Sequence, residues 1–585
     1  MYVDKIMSLM NDEDREAYKD IFAPRTVAIP PEDARRSMCI CADGEIRVYG
    51  LDHRKSAFSE AGARRVYLSS RNGGLSFEFH VAAENDIGEC VYVPWMRRFA
   101  AVSVRMINGK RTICALLSDI GPGDASPLIL PITEENYIDI FLPLVIEEKK
   151  RLIVTAHRRN ADGDYVPAVM ISDDGGESWS IRELKSCPRY PLRWPDRHLR
   201  WNNNGSEPSI VKLSNGRLWL LLRTSDDYMY EAFSDDFGDS FTEAAPSRFH
   251  MTLTTPYALT LNDGRTVLFW NNTQPMPELD IANEFDCTDT DLLDGVWEDV
   301  FTNRDASHAT ISDDCLESFV GFRETALNAV RNRADFRTCG DIAESADRSV
   351  HQHQAIELPY NKILLHVGQN PLSRKLIIFD VNWLYEKQRS EDFHSGLENV
   401  SVHGYRRGPL GSHVGEGIPG HCQFNRYVSV ANVTDPADNR RECVSFLRVH
   451  DPRNLNDLSG LTWNFPALKK GCIKLELYHK GGGLRISLAD HFINPTDPTA
   501  REFAAFTVEA DRINCPDERW YLLGIRFDTE LGKATVFADG RPFGTLNIKR
   551  AAPFGLSYVH LQSAASDVDY EGSYLRSILA EEDRG

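Results

Sequence analysis

Apolar and polar positions alternate along this chain in short runs bounded by turn residues, and helical spacing is rare. The run Ser209-Ile-Val-Lys-Leu-Ser-Asn215-Gly216-Arg217-Leu-Trp-Leu-Leu-Leu reads as two strands joined by an Asn-Gly turn, the strongest short hairpin signal. Tyr257-Ala-Leu-Thr-Leu-Asn-Asp263-Gly264-Arg265-Thr-Val-Leu-Phe-Trp270 repeats the unit with Asp-Gly. Variants occur at Met38–Val48 around Asp43-Gly44, at Leu144–Val154 and at Ala355–Leu365. A short helical pattern is confined to the first 34 residues.

A second repeated unit lies between these hairpins. Ser172-Asp-Asp174-Gly-Gly176-Glu-Ser178-Trp179 fits Ser-x-Asp-x-Gly-x-Ser-aromatic. The same pattern returns at Ser234–Phe241, at Ser312–Phe319 with Leu316 for glycine, and at Ser70–Phe77 with Asn72 for aspartate. Asp and Ser side chains can hydrogen-bond a turn backbone, and Gly supplies a positive φ, so each unit predicts a β-turn with an aromatic packed behind it. Four copies, spaced by 102, 62 and 78 residues, imply a repeat architecture. One hairpin plus one such turn makes a four-stranded sheet, and radial repetition of such sheets is a β-propeller.

From about residue 420 onward the texture changes. Trp520–Asp528 and Ala534–Asp539 alternate as strands, and Tyr574–Leu579 reads as a final strand, with none of the Ser/Asp turns. The expected fold class is all-β: a six-bladed β-propeller plus a C-terminal β-sandwich (jelly roll). The expected division is an N-terminal extension 1–34, a propeller 35–390, a linker 391–419 and a sandwich 420–585.

Charge narrows the partners. With 66 Lys+Arg against 86 Asp+Glu the formal charge is −20, which argues against nucleic acid and against an anionic membrane surface. No stretch approaches the roughly 18 apolar residues of a membrane span. The first residues, MYVDKIMSLMNDEDREAYKD, are acidic where a signal peptide is basic, so a cytoplasmic location and reduced thiols are expected. No Cys/His cluster has ligand spacing, so neither a metal nor another cofactor is expected.

The Ser/Asp turns resemble Asp-boxes (BNR repeats), and the ensemble is similar to the six-bladed sialidase superfamily over roughly residues 35 to 390. The C-terminal part resembles a concanavalin-like (laminin-G-like) jelly roll. In the propeller family the Asp-boxes are structural and sit away from the catalytic face. Glu207, followed by two strands and Arg223, matches a recurring arrangement in which Glu activates a tyrosine nucleophile and Arg belongs to a carboxylate-binding triad. Antiparallel strands around a tight turn bring such residues to one end, and a guanidinium is a planar fork for a carboxylate. A plain Glu–Arg ion pair that stabilises the blade is the other reading. Arg304 resembles a second triad arginine, and Arg25 is a weak candidate for the first.

The nucleophile is where this chain departs from the family. The strand expected to carry the tyrosine reads Asp347-Arg348-Ser-Val-His351-Gln352-His353-Gln354, with Gln352 nearest the aligned position. His351 and His353, at i and i+2, are expected on one strand face, able to act as acid or base. His308 and His366 are the histidines that could join them around a metal. Asp196 is the candidate general-acid partner of Glu207. Tyr228, Trp270, Gln369 and Arg374 are candidate substrate contacts, Trp270 by stacking on a sugar ring and Arg374 by adding positive potential.

The reading is a sialidase-like exo-acting glycoside hydrolase for an acidic or highly hydroxylated terminal sugar, with a non-standard catalytic set. Two alternatives stay open. One is a polysaccharide lyase in which Arg neutralises a uronate and His abstracts its α-proton. The other is a non-catalytic glycan-binding protein.

Overall fold

The computed structural model describes residues 2–52, 64–84, 86–189, 203–274, 304–327, 350–368, 373–402, 430–449, 460–495, 497, 499–510 and 518–583. Six four-stranded antiparallel sheets form the propeller. Blade 1 runs Met38–Ile40, Ile46–Asp52, Arg64–Ser70, Glu78–Val81, and blade 2 runs Val91–Val93, Arg98–Ile107, Lys110–Ser118, Leu128–Thr133. Blade 3 is Leu144–Ile146, Arg151–Arg159, Tyr165–Ser172, Ser180–Glu183, and blade 4 is Asn204–Lys212, Leu218–Thr224, Tyr228–Ser234, Ala245–His250. Blade 5 is Tyr257–Thr260, Thr266–Trp270, Ala306–Ser312, Val320–Leu327. Blade 6 takes Gln354–Leu358, Lys362–Val367 and Lys375–Asp380 from late in the chain, and its outer strand, Arg25–Ala28, from the start.

That outer strand closes the ring. It lies within the segment read as an extension, and with it two helices, Tyr2–Leu9 and Asp12–Lys19, pack at the seam between blades 6 and 1. Ile6, Met10 and Tyr18 of the helices share one buried cluster with Val48 of blade 1 and Leu364 and Ile378 of blade 6. Each fully buried side chain of this size contributes about 1.5–3 kcal/mol. The Tyr18 hydroxyl donates to the Gly73 carbonyl, tying the second helix to the first Ser/Asp turn.

All four repeated turns join strands three and four of their blades, and side chains hold them as expected. In blade 3, Asp174 accepts from the Ser178 amide (2.9 Å) and hydroxyl (2.5 Å), while the Gly176 amide donates to Ser172 Oγ (2.8 Å). Blade 4 repeats this with Asp236, Ser240 and Gly238, and blade 5 with Asp314 and Ser318. Leu316, which replaces the glycine, keeps the left-handed backbone (φ 80) and buries its side chain against Phe249 and Phe319. Blade 2 has an abbreviated version, in which Ser118 Oγ accepts from the Gly121 amide and donates to Asp124.

The C-terminal unit is a β-sandwich. Its larger sheet includes Val430–Thr434, Glu442–Arg448, Lys470–His479, Tyr521–Asp528 and Asp569–Glu582; its smaller sheet is Gly460–Leu468, Leu556–Ser563, Leu484–Ala489 and Phe506–Glu509. Trp463, Phe446, Leu475 and Ile525 meet between the sheets. Gln388–Glu391 pairs with Asp569–Glu582, so the sandwich recruits the chain as soon as it leaves blade 6. Of the expected linker, residues 403–419 lie outside the described residues. The two units are joined by directed bonds: Asn464 Nδ2 donates to the Phe322 carbonyl (3.0 Å), and the amides of Gln274 and Phe492 link blade 5 to the smaller sheet (2.8 Å each).

Strand direction now sorts the molecule. Strand one of a blade starts, strand two ends and strand three starts on the same face, so the Asn-Gly hairpins and the Ser/Asp turns all lie at the other end. A Cβ at Gly238 would meet Ile153 Cδ1 at 2.9 Å, on a backbone with φ 94. Gly238→Ala should therefore cost about 1–3 kcal/mol, read as a lower denaturant midpoint at unchanged slope. A stability within error of wild type would refute this account of the turn.

Candidate active site

Glu207 sits at the start of blade 4, where the first two strands fall out of register between Asn204 and Ser209. Gly205 (φ 124) and Glu207 (φ 45) take the left-handed backbone there. Such a bulge re-aims a side chain, and a non-glycine residue in this region stores about 1–3 kcal/mol. The turn is held by its neighbours: the Glu207 amide donates to His157 Nδ1 (3.1 Å), and Thr155 Oγ1 donates to the Pro208 carbonyl (2.6 Å). The carboxylate is directed to Arg223, at the end of the next strand, whose Nη1 lies 2.6 Å from Glu207 Oε1. Oε2 is buried and accepts no hydrogen bond among the described residues.

Residues absent from the sequence reading complete this centre. Arg36, just before blade 1, is 4 % exposed and has a left-handed backbone (φ 49). Its guanidinium donates to the Pro256 carbonyl (2.5 Å) and lies 4.1 Å from the Phe141 ring centre. Burial lowers its pKa to about 10, against the pull of Glu207, so it remains a cation at neutral pH. Arg25, the weak candidate for a first arginine, lies exposed on the outer strand of blade 6, whereas Arg36 is the arginine buried beside Glu207. Asp139 and His157 come from blade 3. His157 is 1 % exposed, and burial lowers its pKa to about 4. Because its Nδ1 accepts from Glu207, the ring proton sits on Nε2, which lies 3.7 Å from Asp139 Oδ2. The same rule that selects Glu207, polar residues flanking the first strand of a blade, selects Arg36 and Asp139.

Two carboxyl groups here have opposite environments. Burial raises the Glu207 pKa, but Arg223, Arg36 and His157 more than offset it, leaving it below the ordinary value. Asp139 is pushed up to about 6, first by burial and then by the Glu207 charge, against Arg35, Arg223 and Arg36. A pair split this way is the arrangement that separates a base from an acid.

The remaining candidates divide. Arg304 is buried before the third strand of blade 5, its carbonyl accepting from the Val350 amide (3.0 Å), on the same face as Glu207. His351 is buried next to this segment. The expectation that His351 and His353 share a strand face fails, because the strand begins only at Gln354 and Gln352 is left-handed (φ 62). His353 is a core residue: Nε2 meets Ser307 Oγ (2.9 Å), Nδ1 faces the Thr255 carbonyl (3.4 Å), and burial takes its pKa down to about 3. His308 likewise spends both nitrogens, on the Asn272 amide and the Tyr558 hydroxyl. His366 Nδ1 donates to the Gln352 carbonyl (3.2 Å).

Trp270 cannot stack on a sugar: it is fully buried among Phe249, Phe322 and His308, and its Nε1 donates to the His250 carbonyl (2.9 Å). Tyr228 faces a different cavity, between propeller and sandwich. Arg374 is turned toward Glu32 (4.0 Å) at the start of blade 6's third strand, and burial lowers its pKa. Asp196 and Gln369 lie outside the described residues. Below the charged centre, a cavity of 640 Å³ runs between the inner strands, with Arg36 among its walls and Tyr2 and Val3 of the first helix at its boundary.

Residues 140–318 match the BNR repeat-like domain family. The chain matches no curated protein. Among solved structures it is similar to a Trypanosoma rangeli sialidase in complex with 2,3-difluorosialic acid, at 10% identity and a TM-score of 0.35, covering 95% of each chain. The NanB sialidase of Streptococcus pneumoniae is similar at 11% identity and a TM-score of 0.38, over 64% of this chain and 73% of that one. A protein of unknown function from Dyadobacter fermentans is similar at 16% identity and a TM-score of 0.37, over 61% and 96%.

The central ion pair makes its own prediction. A carboxyl whose pKa is lowered on folding adds stability above its unfolded value of about 4.3, and that stability is lost as pH falls through the lower folded value. Glu207→Gln should therefore be less stable than wild type at pH 7, with the gap narrowing below about pH 4. Glu207→Ala, which leaves buried guanidinium groups without their anion, should lose more, about 3–5 kcal/mol. A pH-independent gap in denaturant titrations would contradict the pairing.

Proposed function

We propose that the chain is a glycoside hydrolase acting on a glycan whose terminal sugar carries a carboxylate. The observation that carries this reading is the centre formed by Glu207: one ionised carboxylate bonded to Arg223 and facing Arg36, both guanidinium groups buried. Arg304 is buried on the same face, so guanidinium groups from three blades are available to an anionic sugar. Burial strengthens that attraction, because solvent screening is weak there.

In this reading Arg36, Arg223 and Arg304 hold the sugar carboxylate. Asp139, with a carboxyl near pKa 6, gives a proton to the leaving oxygen, and Glu207 removes one from the attacking group. Near the position aligned with the family's tyrosine stands Gln352, so Glu207 acts on water. His157 keeps a single tautomer between the two carboxyls. The lyase reading loses a base, since both nitrogens of His353 are engaged.

The test is turnover of a panel of sialosides, uronides and neutral aryl glycosides, followed as reducing sugar and as unsaturated uronate. Hydrolysis of a carboxylated member, with kcat lowered about 10²–10⁴-fold in Glu207→Gln, supports the assignment. Full turnover by Glu207→Gln, or an unsaturated product, overturns it. The proton donor is needed in its protonated form, so kcat should fall as pH rises through about 6, and Asp139→Asn should lose that limb together with most of the activity.

A further inference from the structure

We propose that His250, Asp490 and His491 form a binding site for a divalent cation of the zinc class at the seam between propeller and sandwich. His250 ends the outer strand of blade 4, while Asp490 and His491 follow the Leu484–Ala489 strand of the sandwich. One donor atom from each residue lies within 4.8 Å of the other two. Zinc bonds of about 2.0–2.2 Å in a tetrahedron place donors roughly 3.4 Å apart. His250 Nε2 and Asp490 Oδ1, 3.7 Å apart, already stand near that separation.

The chemistry of the donor atoms points the same way. His491 Nδ1 lies 2.6 Å from Asp490 Oδ1 and shares one proton with it. A cation at the seam takes the place of that proton. The two imidazoles, with ring centres 4.0 Å apart, bring His250 Nε2 and His491 Nδ1 to the same carboxylate oxygen. Among the described residues the other cluster of this kind, Cys41, Asp43 and Glu45, is already paired with Arg47 and Arg71.

Two imidazoles and one carboxylate leave a fourth position open, the arrangement of a zinc ion that keeps a water or a ligand rather than a closed structural site. All three residues line a cavity of about 1120 Å³ whose walls also include Tyr228, Asp227, Arg550 and Lys549. The metal would also bridge the two units, since its ligands come from both. Adjacent His and Asp in the sandwich and a lone His in blade 4 form no pattern in sequence, being 240 residues apart across the fold. The proposal stands apart from the Glu207 centre and does not depend on it.

The experiment is calorimetric titration of zinc chloride into the chelator-stripped full chain, beside His250→Gln, Asp490→Asn and His491→Gln. Wild type should bind one equivalent, each substitution should weaken binding by about 100-fold or more, and zinc should raise the unfolding temperature of wild type only. His491 is 2 % exposed, so His250→Gln, on the cavity wall, carries the test if the other variant does not fold. No saturable binding to wild type, or one equivalent held with unchanged affinity by His250→Gln and Asp490→Asn, would overturn the proposal.

Discussion

Everything at the mouth of this propeller depends on one pairing, the strand Arg25–Ala28 against Lys375–Asp380. A sheet edge left open exposes unpaired amides and carbonyls, and a ring of blades avoids it only by closing. Here the first strand of the chain completes the last blade, and the apolar faces of blades 6 and 1 then bury Val48, Leu364 and Ile378 under the N-terminal helices. The closure has a chemical consequence. It carries Arg36, a few residues beyond the closing strand, to the same centre as Glu207 and Arg223. Gln354 fixes the register of that seam by bonding both the amide and the carbonyl of Met38 (2.8 and 2.9 Å).

A closed ring can then hold charges that would be costly elsewhere. Desolvating a carboxylate and two guanidinium groups is tolerated because they are held by rigid strand ends and the opposite charges offset part of the cost. The backbone contributes as well. Left-handed conformations at Arg36, Asp139, Glu207 and Gln352, all non-glycine and all at this face, show strain gathered where the side chains converge. The opposite face uses left-handed backbone differently, in turns such as those at Gly176 and Gly238, whose Asp and Ser side chains supply the bonds.

The fold was legible because its signals are local. Asn215-Gly216, Asp263-Gly264 and the Ser/Asp units each specify a turn within eight residues, and their recurrence implies the ring. The site was legible only where it, too, was local: Glu207 and Arg223 are the two ends of one hairpin. Arg36 and Asp139 meet them only after the blades have closed, and in sequence each is marked only by flanking the first strand of a blade. Trp270 misled for a related reason. An inner strand of a propeller is covered on both faces by neighbouring blades, so an aromatic there is packed on every side. The histidine pair misled because alternation holds only inside a strand, and the strand begins after His353.

The chain is a six-bladed β-propeller joined to a β-sandwich, and the account of its chemistry rests on buried cations arranged around Glu207. The most direct measurement compares kcat/KM for a glycoside with a carboxylated terminal sugar and for its counterpart in which that carboxyl is reduced to an alcohol, with wild type and Arg36→Ala. A hydrogen bond to a charged partner is worth about 1.5–3 kcal/mol, or roughly 10- to 150-fold. Wild type should favour the carboxylated substrate by at least that factor, and Arg36→Ala should lose most of the preference. Equal turnover of the two substrates by wild type, or a preference that survives Arg36→Ala intact, would contradict the account.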